Sequence, residues 1–330
     1  MKRAALFCPG RGSYTERSLR TLPADAPLVR RAEELRAGYG LPPLLELDGA
    51  ERFRPSLHLV PENASPLIYL HTVLDAETVQ HELVCAGGNS LGWYTALAVA
   101  GALSFEDGFR LVQTMSLLQA EEQEGAGGQL IYPLVDADWR PLPERAAAVR
   151  EALASSGGEA LPSIHLGGYA VLAGSERGLE HLVRALPPVQ LGKANYPFRL
   201  VQHGPYHTPL VEPVADRARK TLSELPFRPP RVTLIDGLGR RHTPWSADPA
   251  ELARYTLGAQ IVEPYDFTAG VRVALREYAP DAVVLPGPEN TLGGVVGQVL
   301  VAERWRGITC RDDFERAQAG DDAPVLSMRR

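Results

Sequence analysis

The sequence predicts an α/β protein, with a core built on a mostly parallel sheet and a smaller inserted unit of βαββαβ order. Three observations predict it. Short apolar runs end in Gly or Pro turns and pass into helical periodicity. The stretch from Gln129 to Val201 changes to the order strand, helix, strand, strand, helix, strand. Strands alternating with helices then resume after His207.

Each element follows from local chemistry. "AALFC", Ala4 to Cys8, reads as a buried strand breaking into a Gly-rich loop at Gly10, Arg11 and Gly12. Helical patterns cover Leu28 to Tyr39 and Pro66 to Leu74. "HELVCAGGN" is a second apolar strand, Ser90 the turn, and "LGWYTALAVAGAL" a small-residue helix closed by Gly101. Ser104, with acids just after it, opens a helix whose Phe109, Val112, Met115 and Leu118 share one face. Gly125, Gly127 and Gly128 mark a boundary. Beyond them come strand "QLIYPLVD", helix "PERAAAVREALASS", strands "SIHL" and "YAVLAG", helix "ERGLEHLVRAL" and strand "FRLV", the order of a ferredoxin-like unit. A helix over Pro213 to Leu225 leads to strand "RVTLIDG", helices near Pro249 to Gly258 and Phe267 to Glu277, and strand "DAVVLPGP". The expected organisation is a discontinuous core of residues 1–127 and 199–304, an insertion of 128–198, and a polar, poorly ordered tail of 305–330.

The bulk numbers exclude several classes. Hydrophobic residues make up 45% of the 330-residue chain and charged residues 22%, ordinary for a globular protein. The formal charge of -6 and the lack of a basic block argue against nucleic-acid binding. No run approaches the roughly 20 apolar residues of a membrane span. The three cysteines, Cys8, Cys85 and Cys310, lack metal or disulfide spacing, which fits a reducing cytoplasm. No metal site or nucleotide loop is expected, because "GPGPENTLGG" lacks the phosphate-loop lysine.

Gly88-Asn89-Ser90-Leu91-Gly92 fits the G-x-S-x-G pattern between an apolar strand and a helix. Such an elbow exposes a serine hydroxyl at a helix N-terminus, where N–H groups stabilise negative charge. A tight packing turn is the competing reading. A nucleophilic serine needs a base, and there are eight histidines. His58, His71, His81, His181 and His242 sit in settings typical of surface or core histidines. His207 lies in a loop between an apolar strand and a helix, which makes it the first candidate base, with His203 next.

"GGNSLGWYTALAVAGALSFEDGFRLV", "GPYHTPLVEPVADR", "QIVEPYDF" and "PGPENTLGG" occur in the order and context of the malonyl-CoA:acyl carrier protein transacylase family, including polyketide synthase acyltransferase domains. The chain resembles that family from "FCPGRGS" to about Val301. The resemblance implies an α/β-hydrolase-like core with a ferredoxin-like insertion, Ser90 as nucleophile and His207 as general base. It further implies Gln260 as the residue orienting His207 through a backbone carbonyl, and the N–H groups of Arg11 and Leu91 as oxyanion hole. Acyl-CoA and acyl carrier protein are the implied partners, with no cofactor beyond substrate-borne CoA or phosphopantetheine, no nucleic acid, no membrane, and a monomer or weak homodimer.

Three positions depart from the family pattern. Asn89 replaces its histidine, Arg11 its loop glutamine, and Met115 the arginine that holds the malonyl carboxylate. A buried carboxylate without its partner costs about 3–5 kcal/mol, a hundred- to several-thousand-fold in affinity. The expectation is therefore an acyltransferase preferring non-carboxylated groups. The alternatives are a thioesterase with the same Ser–His pair, a malonyl transferase in which Arg11 supplies the missing cation, and a non-catalytic carrier-protein-binding homologue. Met115, Asn89, Tyr206 and His165, the last on "SIHL", are the expected substrate-pocket residues.

Overall fold

The structure is a computed structural model that describes residues 1–121 and 127–329. Gly125 of the glycine cluster, and the end of the helix predicted to run into it, lie outside the described residues.

Six strands form the main sheet, in the order Arg241–His242, Thr233–Ile235, Glu82–Gly88, Arg3–Cys8, Ala282–Leu285 and Val325–Ser327. All pairs are parallel except the first, which is antiparallel. Ala4 to Cys8 are all buried, as a central strand covered on both faces requires. A second sheet takes the order Tyr265–Asp266, Ala160–Leu166, Tyr169–Gly174, Gly128–Pro133 and Phe198–Arg199. Its last four strands pair antiparallel around a separate small core of Leu130, Tyr132, Leu172, Leu179 and Leu182. Strand Tyr265–Asp266, from later in the chain, pairs parallel onto its edge and joins the two sheets' surroundings.

Several elements differ from expectation for identifiable reasons. The helix predicted at Pro66 begins at Pro61 and runs to Glu77, with Pro66 inside it. Pro66 offers no N–H to the carbonyl of Glu62, but that carbonyl accepts instead from Arg36 and Gln113, so the backbone is satisfied. The helix predicted to end at Gly258 continues through a π-helical turn, Tyr255–Ala259, into Gln260–Val262. A hairpin, Val189–Leu191 with Ala194–Tyr196, and a helix, Gly293–Ala302, were not expected.

The polar tail is a correction. Helix Arg311–Gln318 packs Phe314 against Trp139, and strand Val325–Ser327 completes the main sheet. Arg329 donates to both carboxylate oxygens of Asp75. A few apolar residues in a polar stretch suffice when each one is buried, and Val325 is 3% exposed.

Candidate active site

Ser90 sits between strand Glu82–Gly88 and helix Leu91–Val99 with φ 54° and ψ −112°, a backbone region that non-glycine residues rarely adopt. Residues held there cost of order 1–3 kcal/mol and persist where surroundings over-determine them. The flanking glycines show why the turn is possible. A Cβ on Gly88 would lie 2.2 Å from the Gly92 backbone, and one on Gly92 would lie 2.1 Å from the Cys8 carbonyl. The elbow is thus pressed against the end of strand Arg3–Cys8, where the Asn89 N–H also donates to the Cys8 carbonyl at 3.0 Å. This contact brings the Gly10–Gly12 loop beside the serine.

Ser90 Oγ lies 2.7 Å from His207 Nε2, and His207 Nδ1 lies 2.8 Å from the Gln260 carbonyl. A carbonyl only accepts, so the proton is on Nδ1 and Nε2 is free to accept from the serine hydroxyl. Gln260 and Ile261 are in the last turn before Glu263-Pro264, where helix carbonyls lack intrahelical partners. They take the Nδ1–H and, at 3.0 Å, the backbone N–H of His207. The Gln260 side chain closes the arrangement, accepting from Tyr94 at 2.6 Å and donating to the Ser90 carbonyl at 3.2 Å. Tyr265 packs its ring on His207 and donates to the Gly88 carbonyl at 2.6 Å.

His207 also has a positive φ, 59°. Burial lowers its pKa to about 4; the Gln260 carbonyl opposes the shift and the Arg11 charge adds to it. The imidazole is therefore neutral at physiological pH and able to accept a proton.

A cleft of about 400 Å³ opens on Ser90 and His207. Arg11, Leu91, Tyr206, Met115, Ser116 and Gln119 are among the residues that line it. Among the described residues the Arg11 and Leu91 N–H groups have no internal acceptor. The Arg11 guanidinium stacks 4.3 Å from the Tyr206 ring, and its Nη1 and the Tyr206 hydroxyl are buried without hydrogen-bond partners. Among the described residues, no Asp or Glu lines the cleft.

Two expected pocket residues lie elsewhere. Asn89 does not line the cleft; it faces the Gly10 backbone, the price of a tight elbow. His165 is exposed and pairs with Asp266 at 3.4 Å, because strand Tyr265–Asp266 caps that edge of the sheet. The hydroxyl of Ser90 meets His207 and not His203. His203 Nδ1 bonds Gln129 Oε1 at 2.9 Å, and burial first, then the Arg11 charge, lowers its pKa to about 3. Sequence reasoning missed Tyr94, Tyr265 and Gln129. Their signal was weak: the two tyrosines lie inside the quoted motifs, where no role was assigned to them, and Gln129 is a polar residue in an otherwise apolar strand.

Fold and site together define an α/β protein with a serine–histidine pair on a strand-to-helix elbow. In sequence the chain is 25% identical over 310 residues to the malonyl CoA-acyl carrier protein transacylase of Haemophilus influenzae, spanning 91% of this chain and 93% of the relative. It is 26% identical over 307 residues to the enzyme of the same name from Escherichia coli K12, spanning 91% and 94%. The fold matches the crystal structure of an acyl-carrier-protein S-malonyltransferase from Burkholderia pseudomallei with a TM-score of 0.75 at 21% identity, over 99% of this chain and 96% of the other. No protein-family model matches the chain. These relationships support homology to the malonyl-CoA:acyl carrier protein transacylase family.

Proposed function

We propose that the chain is a serine acyltransferase that moves an acyl group from a CoA thioester to an acyl carrier protein thiol through acyl-Ser90. The observation that carries this reading is the continuous line Ser90 Oγ, His207 imidazole, Gln260 carbonyl. His207 Nε2 takes the hydroxyl proton as Oγ bonds to the thioester carbon. The oxyanion is held by the N–H groups of Arg11 and Leu91. Collapse breaks the C–S bond, and His207 returns the proton to the departing thiolate. A second thiol reverses these steps, so the chemistry invokes no metal or further cofactor.

The identity of the acyl group turns on two side chains. Met115, 1% exposed in the cleft wall, offers no charge to a carboxylate, which favours acyl groups without one. A second reading, a carboxylated acyl group held by Arg11, is supported by the unpartnered Nη1 of that residue in the same cleft.

Intact mass after mixing with malonyl-, acetyl- and longer acyl-CoA tests the proposal. The expected result is an acyl adduct that Ser90→Ala abolishes; no adduct with any thioester would overturn it. Free acid measured against acyl-carrier product distinguishes transfer from hydrolysis.

A further inference from the structure

The backbone of His207 is clamped from both sides. The peptide joining Tyr206 to His207 gives its N–H to the Ile261 carbonyl at 3.0 Å, on the core side. Its carbonyl faces the other sheet, where it accepts from Ser163 Oγ at 2.8 Å and from Gln129 Nε2 at 3.3 Å. Ser163 and Gln129 are 1% and 2% exposed.

The donors are themselves ordered. Gln129 Nε2 also donates to Ser163 Oγ at 2.7 Å, which leaves the serine proton directed at the Tyr206 carbonyl. Gln129 Oε1 accepts from His203 Nδ1, and this fixes the amide orientation. Ser163 sits at the irregularity between Pro162 and Ile164, where the strand register shifts. Such bulges re-aim a side chain, here out of the ladder and toward the loop that carries the base.

We infer that Ser163 and Gln129, two side chains of the second sheet, are positioning residues for the His207 base. The inference rests on the reading of Ser90 and His207 as nucleophile and base. A left-handed histidine has no intrinsic preference for this conformation, and a network that pins both ends of its preceding peptide sets where the imidazole stands between Ser90 and Gln260. The inserted sheet is then part of the machinery that holds the base, in addition to whatever it does for substrate.

The test is the rate at which a fluorophosphonate probe and an acyl-CoA modify Ser90 in wild type, Ser163→Ala, Ser163→Thr and Gln129→Met. Ser163→Ala is expected to lower acylation about ten- to a hundredfold with KM little changed, and Ser163→Thr, which keeps the hydroxyl, to restore it. In a His207→Ala background Ser163→Ala is expected to have no further effect, because its action passes through the imidazole. Equal labelling of wild type and Ser163→Ala, or the same loss in the His207→Ala background, would overturn the inference. Should Ser163→Ala not fold, Gln129→Met decides the matter on the same two comparisons, with about a tenfold loss expected and none overturning it. A wild type that neither reagent labels is a failure of the serine–histidine reading itself, and is told apart from these outcomes.

Discussion

His207 is oriented by a main-chain carbonyl, that of Gln260 at 2.8 Å, where many serine nucleophiles use a carboxylate. A backbone acceptor survives any side-chain change at its own position. Gln260→Ala should accordingly keep Ser90 acylation within about tenfold of wild type, losing only the ties to Tyr94 and the Ser90 carbonyl. His207→Ala should lower it by about 10²–10⁴-fold. Burst kinetics with an acyl-CoA compare the two, and a Gln260→Ala loss as large as that of His207→Ala would contradict the assignment.

The pH dependence follows from the depressed imidazole. A base with a pKa of about 4 is unprotonated above that value, so acylation should hold steady from pH 8 down toward 5 and fall as pH drops through about 4. The Arg11 charge contributes to the depression. Removing it in Arg11→Gln should move the acid limb upward, toward the ordinary histidine range. Rates measured across pH 3.5 to 8 for both proteins give the answer; a limb that stays fixed or moves down argues against coupling of the two groups.

Much of this site could be read from the sequence because its elements are local. The Gly88 to Gly92 elbow, the strand before it and the helix after it are set within a dozen residues, and His207 stood out through its Gly-Pro loop. What was not legible depends on tertiary register. His165 and Ser163 lie two apart on one strand, yet the bulge at Ser163 and the edge strand Tyr265–Asp266 send one to the His207 loop and the other to solvent. The tail beyond Arg304 looked too polar to order, because the sheet edge that accepts Val325–Ser327 is made by Ala282–Leu285, some forty residues away. Pro66 hid the true start of its helix, since the donors that satisfy the Glu62 carbonyl come from two other helices.

The elbow's glycines yield a stability prediction. Gly92→Ala places a methyl 2.1 Å from the Cys8 carbonyl, a contact that only backbone movement relieves. Overpacking of that kind costs about 1–3 kcal/mol. Because the displaced strand end carries the Arg11 loop, acylation should fall along with the urea midpoint. A fully stable, fully active Gly92→Ala would mean that the Gly88-to-Gly92 turn is looser than this packing implies.

The cleft wall gives the last prediction. Met115 and Arg11 line one cavity with Ser90, and the two readings of the acyl group assign the deciding interaction to different members of this pair. If the acyl group meets Met115, Met115→Arg should raise malonyl labelling of Ser90 relative to acetyl by about a hundredfold, the value of one buried charge partner at roughly 3 kcal/mol. If Arg11 already holds a carboxylate, wild type should label faster with malonyl- than with acetyl-CoA, and Arg11→Gln should lose that preference by a similar factor while retaining acetyl labelling, because the oxyanion donor at this position is a backbone N–H that the substitution leaves in place. Competition between the two thioesters, read by intact mass, separates the cases in one experiment. A wild type that prefers acetyl and keeps that preference in both variants would show that neither residue reads the acyl terminus.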